Sequence, residues 1–138
     1  MIDFNSKFGR RAKKRLKQEQ EIWLTTIGKG GTPQPRPVWF YWDGETFLIY
    51  SKADAHKVKH IARNPNVALH LNSTTDDGGV VIFHGTANVD PDAPASTKHG
   101  AYFRKYKQGI KDINMTPEEF AREYCVAIRV TPTALRGW

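Results

Sequence analysis

Apolar residues along the chain keep two different periods. Between positions 5 and 20 they recur every fourth residue, at Phe8, Ala12 and Leu16, with Phe4 just ahead. That spacing draws one narrow stripe and predicts a helix over 5–20. From Glu21 the period falls to two. EIWLTTI (21–27) predicts a strand, followed by the loop GKGGTP (28–33). PRPVWFYW (35–42) predicts a second strand. Proline cannot donate to a ladder, so Pro35 and Pro37 sit at an edge or at the strand's opening. Asp43-Gly44-Glu45 is a turn, and TFLIY (46–50) the return strand. A helix is predicted over 54–63, with Asp54 as its N-cap and Asn64-Pro65 as its stop. PNVALHLN (65–72), VVIFHGTANV (80–89) and EYCVAIRV (123–130) predict three more strands, with a turn at 74–79 and a bulge at Gly85. Two short helices are expected after the loop at 90–94. The second opens on Thr116-Pro117-Glu118-Glu119, a capping-box spacing with proline at the first helical position. TPTALRGW (131–138) closes the chain. Six strands in hairpin order, with helices inserted late, predict a closed or nearly closed antiparallel barrel with helical additions.

A length of 138 residues fits one domain. No apolar run approaches the roughly 20 residues of a membrane helix. The charged start MIDFNSKFGRR lacks a following apolar stretch, so no secretory leader is expected. The single cysteine, Cys125, lies in the apolar run YCVAI (124–128) and is expected to be a buried small hydrophobe. A reducing, cytoplasmic location is the expectation.

The net charge of +7 favours an anionic partner: nucleic acid, a phosphate-bearing cofactor or an acidic tail. Basic residues gather in two places. RRAKKRLK (10–17) is either a solvated helix face or a patch for a polyanion. The second place is SKADAHKVKHIARNP (51–65). At about 100° per residue, Val58, Ile61 and Ala62 share one arc and face the core. His56, Lys59, His60 and Arg63 take the opposite arc, with Lys57 on the border. A helix N-terminus favours an anion through its free N–H groups and dipole. With Ser51 and Lys52 just before it and Lys57 in its first turns, the segment reads as a phosphate site. The plainer alternative is a surface helix whose lysines confer solubility. His56 and His60 stand at i, i+4 without a third ligand, so no metal site is expected. His70 and His84 alternate into strands and read as barrel or interface residues. Dinucleotide, P-loop, nucleophile-elbow and CxxC motifs do not occur.

The order of parts is itself informative: TTIG (25–28), PRPVWF (35–40), a hairpin, IYSK (49–52), the basic helix HKVKHIARNPNV (56–67), then ALHL (68–71) and the closing VTPTALRGW (130–138). This order resembles the flavin and deazaflavin oxidoreductases of the pyridoxamine 5′-phosphate oxidase-like split β-barrel superfamily, and within it the F420-dependent branch. The resemblance covers about residues 18–90 and the C-terminal stretch. It implies a mainly β, α+β fold: a six-stranded antiparallel split β-barrel with peripheral helices, residues 1–138 forming one flavin- or deazaflavin-binding domain. It implies a homodimer with two cofactor sites at the interface and a small-molecule substrate. Pro37, Val38, Trp39 and Phe40 would lie along the cofactor ring, largely through backbone contacts. Ser51, Lys52 and Lys57 would hold its phosphate, with His60 nearby. Arg136 and Trp138 of the partner subunit would close the ring pocket.

The implied activity is hydride transfer from C5 of reduced F420 to an electron-poor double bond, with the cofactor carrying the chemistry and the protein orienting it. No protein nucleophile is needed, and a proton would come from solvent or from Tyr41 or Tyr50. FMN, in an oxidase or flavin reductase of the same fold, is the alternative. The basic N-terminal helix carrying RRAKKRLK (10–17) would suit the polyanionic tail of F420. Arginine-rich contacts typical of true pyridoxamine phosphate oxidases are not evident, which counts against that activity. A reading of another class is a non-catalytic nucleic-acid module built on RRAKKRLK and exposed aromatics. Against it, WFYW (39–42) alternates like core and interface residues.

Overall fold

Helix α1 (Lys7–Gln18) starts where the Ser6 hydroxyl accepts the Gly9 N–H at 2.9 Å. In the computed structural model, which describes residues 2–138, its apolar stripe delivers Ala12 and Leu16 to the core. Two of its basic residues reach the 72–79 turn. The Arg15 guanidinium donates to the carbonyls of Asn72 (2.7 Å), Gly78 (3.2 Å) and Gly79 (3.1 Å). Arg11 pairs with Asp77 at 2.7 Å. Together they pin the 72–79 turn against the helix.

The strands are β1 (Glu21–Ile27), β2 (Pro33–Trp39), β3 (Tyr41–Trp42), β4 (Phe47–Ser51), β5 (Asn66–His70), β6 (Val81–Val89) and β7 (Val126–Gly137). They form one antiparallel sheet in the order β2-β1-β5-β6-β7-β4-β3. The sheet curls around Ile22, Leu24, Phe47, Phe83, Ile128 and Val130. Helix α2 (His56–Arg63) packs on β1 and β6. The last helices are α3 (Gly100–Asp112) and α4 (Pro117–Glu123). They cover the other face of β4, burying Leu48 and Tyr50 in a second cluster with Tyr102, Tyr106, Ile110 and Phe120.

The sheet has seven strands, not the six expected, because the predicted 35–42 strand breaks at Phe40. The Phe40 N–H donates to Tyr106 Oη at 2.7 Å, and Lys105 Nζ donates to the Phe40 carbonyl at 2.9 Å. Tyr106 Oη also lies 2.7 Å from the Gln20 carbonyl. With its peptide engaged by α3, the chain leaves β1, and Tyr41–Trp42 pairs with β4 instead.

Four further expectations need correction. Helix α2 starts at His56, and its N-cap is Ala55, with no side-chain cap, rather than Asp54. Ala62 is exposed, because the short helix meets the sheet mainly through Ile61 and Val58. Cys125 is exposed, because the strand's alternation starts one residue later, at Val126. Helix α3 has 13 residues, the longest helix among the described residues, and is not a short one. Other signals hold. The α4 capping box forms, and the β6–β7 register shifts between His84 and Gly85, where a Cβ would collide with the Thr131 carbonyl. No helix among the described residues is long and apolar enough to cross a membrane.

Tyr106 is fully buried, and its hydroxyl ties α3 to the barrel. Tyr106→Phe should lower stability in urea unfolding by about 1–3 kcal/mol, the scale of leaving buried backbone groups unpaired. A loss within error would show that the tie contributes nothing.

Candidate functional site

Proline spacing decides which way β2 faces. Pro33, Pro35 and Pro37 stand opposite Ile27, Thr25 and Trp23. Having no N–H, they must form the non-hydrogen-bonded pairs, and Gln34, Arg36 and Val38 carry the ladder. The proline carbonyls therefore line the strand's free edge. Partners in register share a face, so Gln34 and Arg36 lie on the side of Thr26 and Leu24, where α2 packs.

Between β2 and α2 opens a cleft of about 590 Å³. Its polar lining is Thr26, Gln34, Arg36, His56, Lys57 and His60, with no aspartate or glutamate among the described residues. Ala55 also lines it, so the uncapped start of α2 borders the same space. The Lys57 ammonium lies 3.5 Å from Ser51 Oγ. Burial lowers the Lys57 pKa, and the Arg36 charge lowers it further. His60 Nδ1 is 2.8 Å from Thr26 Oγ1. Its pKa is lowered by desolvation, then by Arg63, His56 and Arg36. These groups repel one another's protons, and no acid in the cleft relieves them. An anion would.

A second cleft of about 240 Å³ shares Pro37 and Lys57 with the first. Its walls are aromatic: Trp39, Tyr50, Tyr102, Phe120 and Tyr124. Trp39 is stacked at 4.7 Å on Tyr106 and 5.6 Å on Phe120, which makes a rigid wall. The two adjoining clefts offer a basic side and an aromatic side, and Glu21 also lines the aromatic one.

Of the residues expected at a site, Pro37, Val38, Trp39, Lys57 and His60 line these clefts. Ser51 is buried behind Lys57, and its hydroxyl donates to the Lys52 carbonyl at 3.0 Å. Lys52 stands outside, its ammonium 5.5 Å from the Tyr124 ring centroid. Phe40 is not brought to the cleft: its side chain is 0% exposed in the core, and both its backbone groups are engaged by α3. Arg136 and Trp138 lie at the end of β7 and line neither cleft in a single chain. Tyr50 donates to the Pro94 carbonyl at 2.6 Å, and Tyr41 packs on His99. Sequence reasoning missed Arg36, Gln34 and Thr26. The signal was there in the prolines at 33, 35 and 37, which force the residues between them onto one face.

A family model for pyridoxamine 5′-phosphate oxidase matches residues 8–138. No curated protein matches the chain. Among solved structures, one described as F420 reductase is similar at 24% identity, with 90% of this chain and 94% of the other covered and a TM-score of 0.70. A FAD-binding protein from Mesorhizobium loti is 15% identical, over 91% and 89%, with a TM-score of 0.66. The heme storage protein HutZ from Vibrio cholerae is 15% identical, over 89% of each chain, with a TM-score of 0.60. At these identities the likeness shows the fold alone, and that fold accompanies three different ligands by name.

The cleft's electrostatics can be tested with sulfate, which stays dianionic across the range. The depressed His60 pKa means that His60 gains charge only below its ordinary value of about 6.5. Sulfate affinity should therefore rise as pH falls from 8 to 5, and His60 should titrate higher with sulfate bound. His60→Gln should flatten the pH dependence in calorimetry. An equally steep profile in the variant would move the anion away from His60.

Proposed function

The chain belongs to the pyridoxamine 5′-phosphate oxidase family, and we propose that this member is a deazaflavin-dependent oxidoreductase using coenzyme F420 on an unsaturated small molecule. The observation that carries the reading is the acid-free basic cleft joined through Pro37 and Lys57 to an aromatic one. A ligand that fits must carry an anionic group and a flat ring. Nucleic acid fits less well, since Arg11 and Arg15 hold the 72–79 turn. Lys13, Lys14 and Lys17 remain exposed beside a net charge of +7, which favours the longer polyanion of F420 over the single phosphate of FMN.

Lys57 and Arg36 would hold the phosphate as paired cations, and the free start of α2 would add N–H donors. His60 would offer Nε2, with Thr26 fixing its other nitrogen. Trp39 and Tyr124 would wall the ring, and the Pro37 carbonyl at the β2 edge would accept a ring N–H. When bound, the cofactor supplies the hydride; the protein binds and orients.

We also propose a homodimer. Pro37, Trp23, His70, Ile82 and Arg136 stand in register on five adjacent strands, one row across the sheet's outer face. A two-fold axis parallel to the strands and passing beside His70 exchanges the ends of that row. It would bring Arg136 of each chain to the partner's Pro37, at the cofactor cleft.

Titration with F420 and with FMN, followed by tryptophan quenching, tests the cofactor. Saturation by F420 with weaker FMN binding is expected; the reverse would make this an FMN protein, and binding of neither would defeat the reading. Lys57→Ala should weaken the bound cofactor by about 1.5–3 kcal/mol, the scale of a charged hydrogen bond.

Sedimentation should give twice the 15.7 kDa chain mass. His70→Glu, which sets two carboxylates together at the axis, should yield monomer. A dimer indifferent to that change would place the axis elsewhere.

A further inference from the structure

Lys105 of α3 does more than hold the break at Phe40. Its ammonium donates to the Phe40 carbonyl at 2.9 Å and lies 3.8 Å from the Phe40 ring centroid and 5.2 Å from that of Tyr106. Both rings are fully buried, so this side of the ammonium meets only protein. The lysine side chain as a whole is only half-buried. It lines a cleft of about 440 Å³ between α1 and α3. Tyr41 lines the same cleft and shares its peptide with the carbonyl that the ammonium grips. The amine is therefore fixed at the cleft wall by a bond to that wall. Lys17 and Arg104, both exposed, line the cleft too, and no aspartate or glutamate among the described residues does. Glu19, whose charge reaches Lys105, is paired with Arg15 at 3.1 Å. Burial lowers the Lys105 pKa to about 8, with the Glu19 charge opposing the shift. At neutral pH Lys105 thus holds more free amine than an ordinary lysine, whose pKa is about 10.4. One N–H can stay on the Phe40 carbonyl while the lone pair turns to the cleft. A desolvated lysine beside other cations is an activated nucleophile.

We propose that Lys105 is a site of acylation by small acyl phosphates, with Lys17 and Arg104 holding the phosphate. Attack of the neutral amine on the acyl carbon forms a C–N bond. The C–O bond to phosphate breaks, and inorganic phosphate leaves with that electron pair. The surplus proton on nitrogen goes to water, and nothing is oxidised or reduced. Lys17 and Arg104 meet the charge that the leaving group carries. The product amide keeps one N–H for the Phe40 carbonyl, but the charge over the Phe40 ring is gone. Acylation therefore preserves the chain break and slackens the grip of α3 on it, while the cleft falls from three cations to two. Neither cofactor cleft takes part.

Acetyl phosphate and acetic anhydride are the probes, the second carrying no phosphate. Peptide mass spectrometry follows the rate at each lysine of the full chain. With acetyl phosphate at neutral pH, Lys105 should react about 10-fold faster than the exposed Lys13, in keeping with its larger free-amine fraction. Its rate should level off above its pKa of about 8, while that of Lys13 keeps rising. The other charged or titratable groups around Lys105 are Lys17 and Glu19 of α1, Tyr41 of β3, and Arg104 and Tyr106 of α3. Burial pushes the Tyr106 phenol up, so it stays neutral over that range. Lys17→Gln combined with Arg104→Gln should slow acetyl phosphate at Lys105 about 3- to 10-fold, the scale of one or two exposed charge contacts, and leave acetic anhydride unaffected. Inorganic phosphate should slow the wild type in the same selective way. Modification of Lys105 no faster than of Lys13 would overturn the proposal. So would a double variant that is unchanged toward acetyl phosphate or slowed equally toward both reagents, since the cleft would then hold no phosphate.

Discussion

The alternation of proline along β2 is the constraint on which the site depends. Pro33, Pro35 and Pro37 cannot donate, so the ladder to β1 must run through Gln34, Arg36 and Val38. That fixes the strand's rotation. Arg36 is thereby committed to the face it shares with Leu24 and Thr26, against the start of α2. A one-residue slip would turn the guanidinium to the opposite face and leave Lys57 without its neighbour. The geometry of the basic cleft is a consequence of backbone chemistry on β2, the strand next to the β1 on which the lysine's helix packs.

Charge is distributed unevenly as a result. Arg11 and Arg15 have carboxylate or carbonyl partners, and Arg129 bridges Asp43 and Asp90. Around the cleft, among the described residues, the Arg36 guanidinium has the Pro35 carbonyl at 3.0 Å and no group has a carboxylate. Clustering four positive or protonatable groups without an acid raises the free energy of the unliganded protein, and the lowered pKa values of Lys57 and His60 register that cost. Such an arrangement is poorly explained by stability and well explained by a ligand that brings its own negative charge.

Much of the fold was legible because its signals are local. The edge prolines, the Gly85 bulge, the capping box at Thr116 and the two hydrophobic periods each depend on a few neighbouring residues, and each appears in place. The break at Phe40 was not legible, because its cause lies 65 and 66 residues downstream at Lys105 and Tyr106. Helix α2 shows the same limit: its cap and the exposure of Ala62 depend on how narrowly the helix meets β1 and β6. Lys57 and His60 were readable from one helix and its approach. The facing of Arg36 was readable from the alternate prolines, but the helix it faces was not, since that helix lies remote in sequence.

An open curled sheet must protect two edges from foreign strands. At one end the free side of β2 presents carbonyls from three prolines in alternate positions, so an incoming strand would find acceptors but no donors. At the other end β3 is two residues long, too short to template anything. The same features that leave a rim open for a ligand therefore deny that rim to amyloid-like extension. Copies of this chain can meet through their faces but have no edge on which to grow.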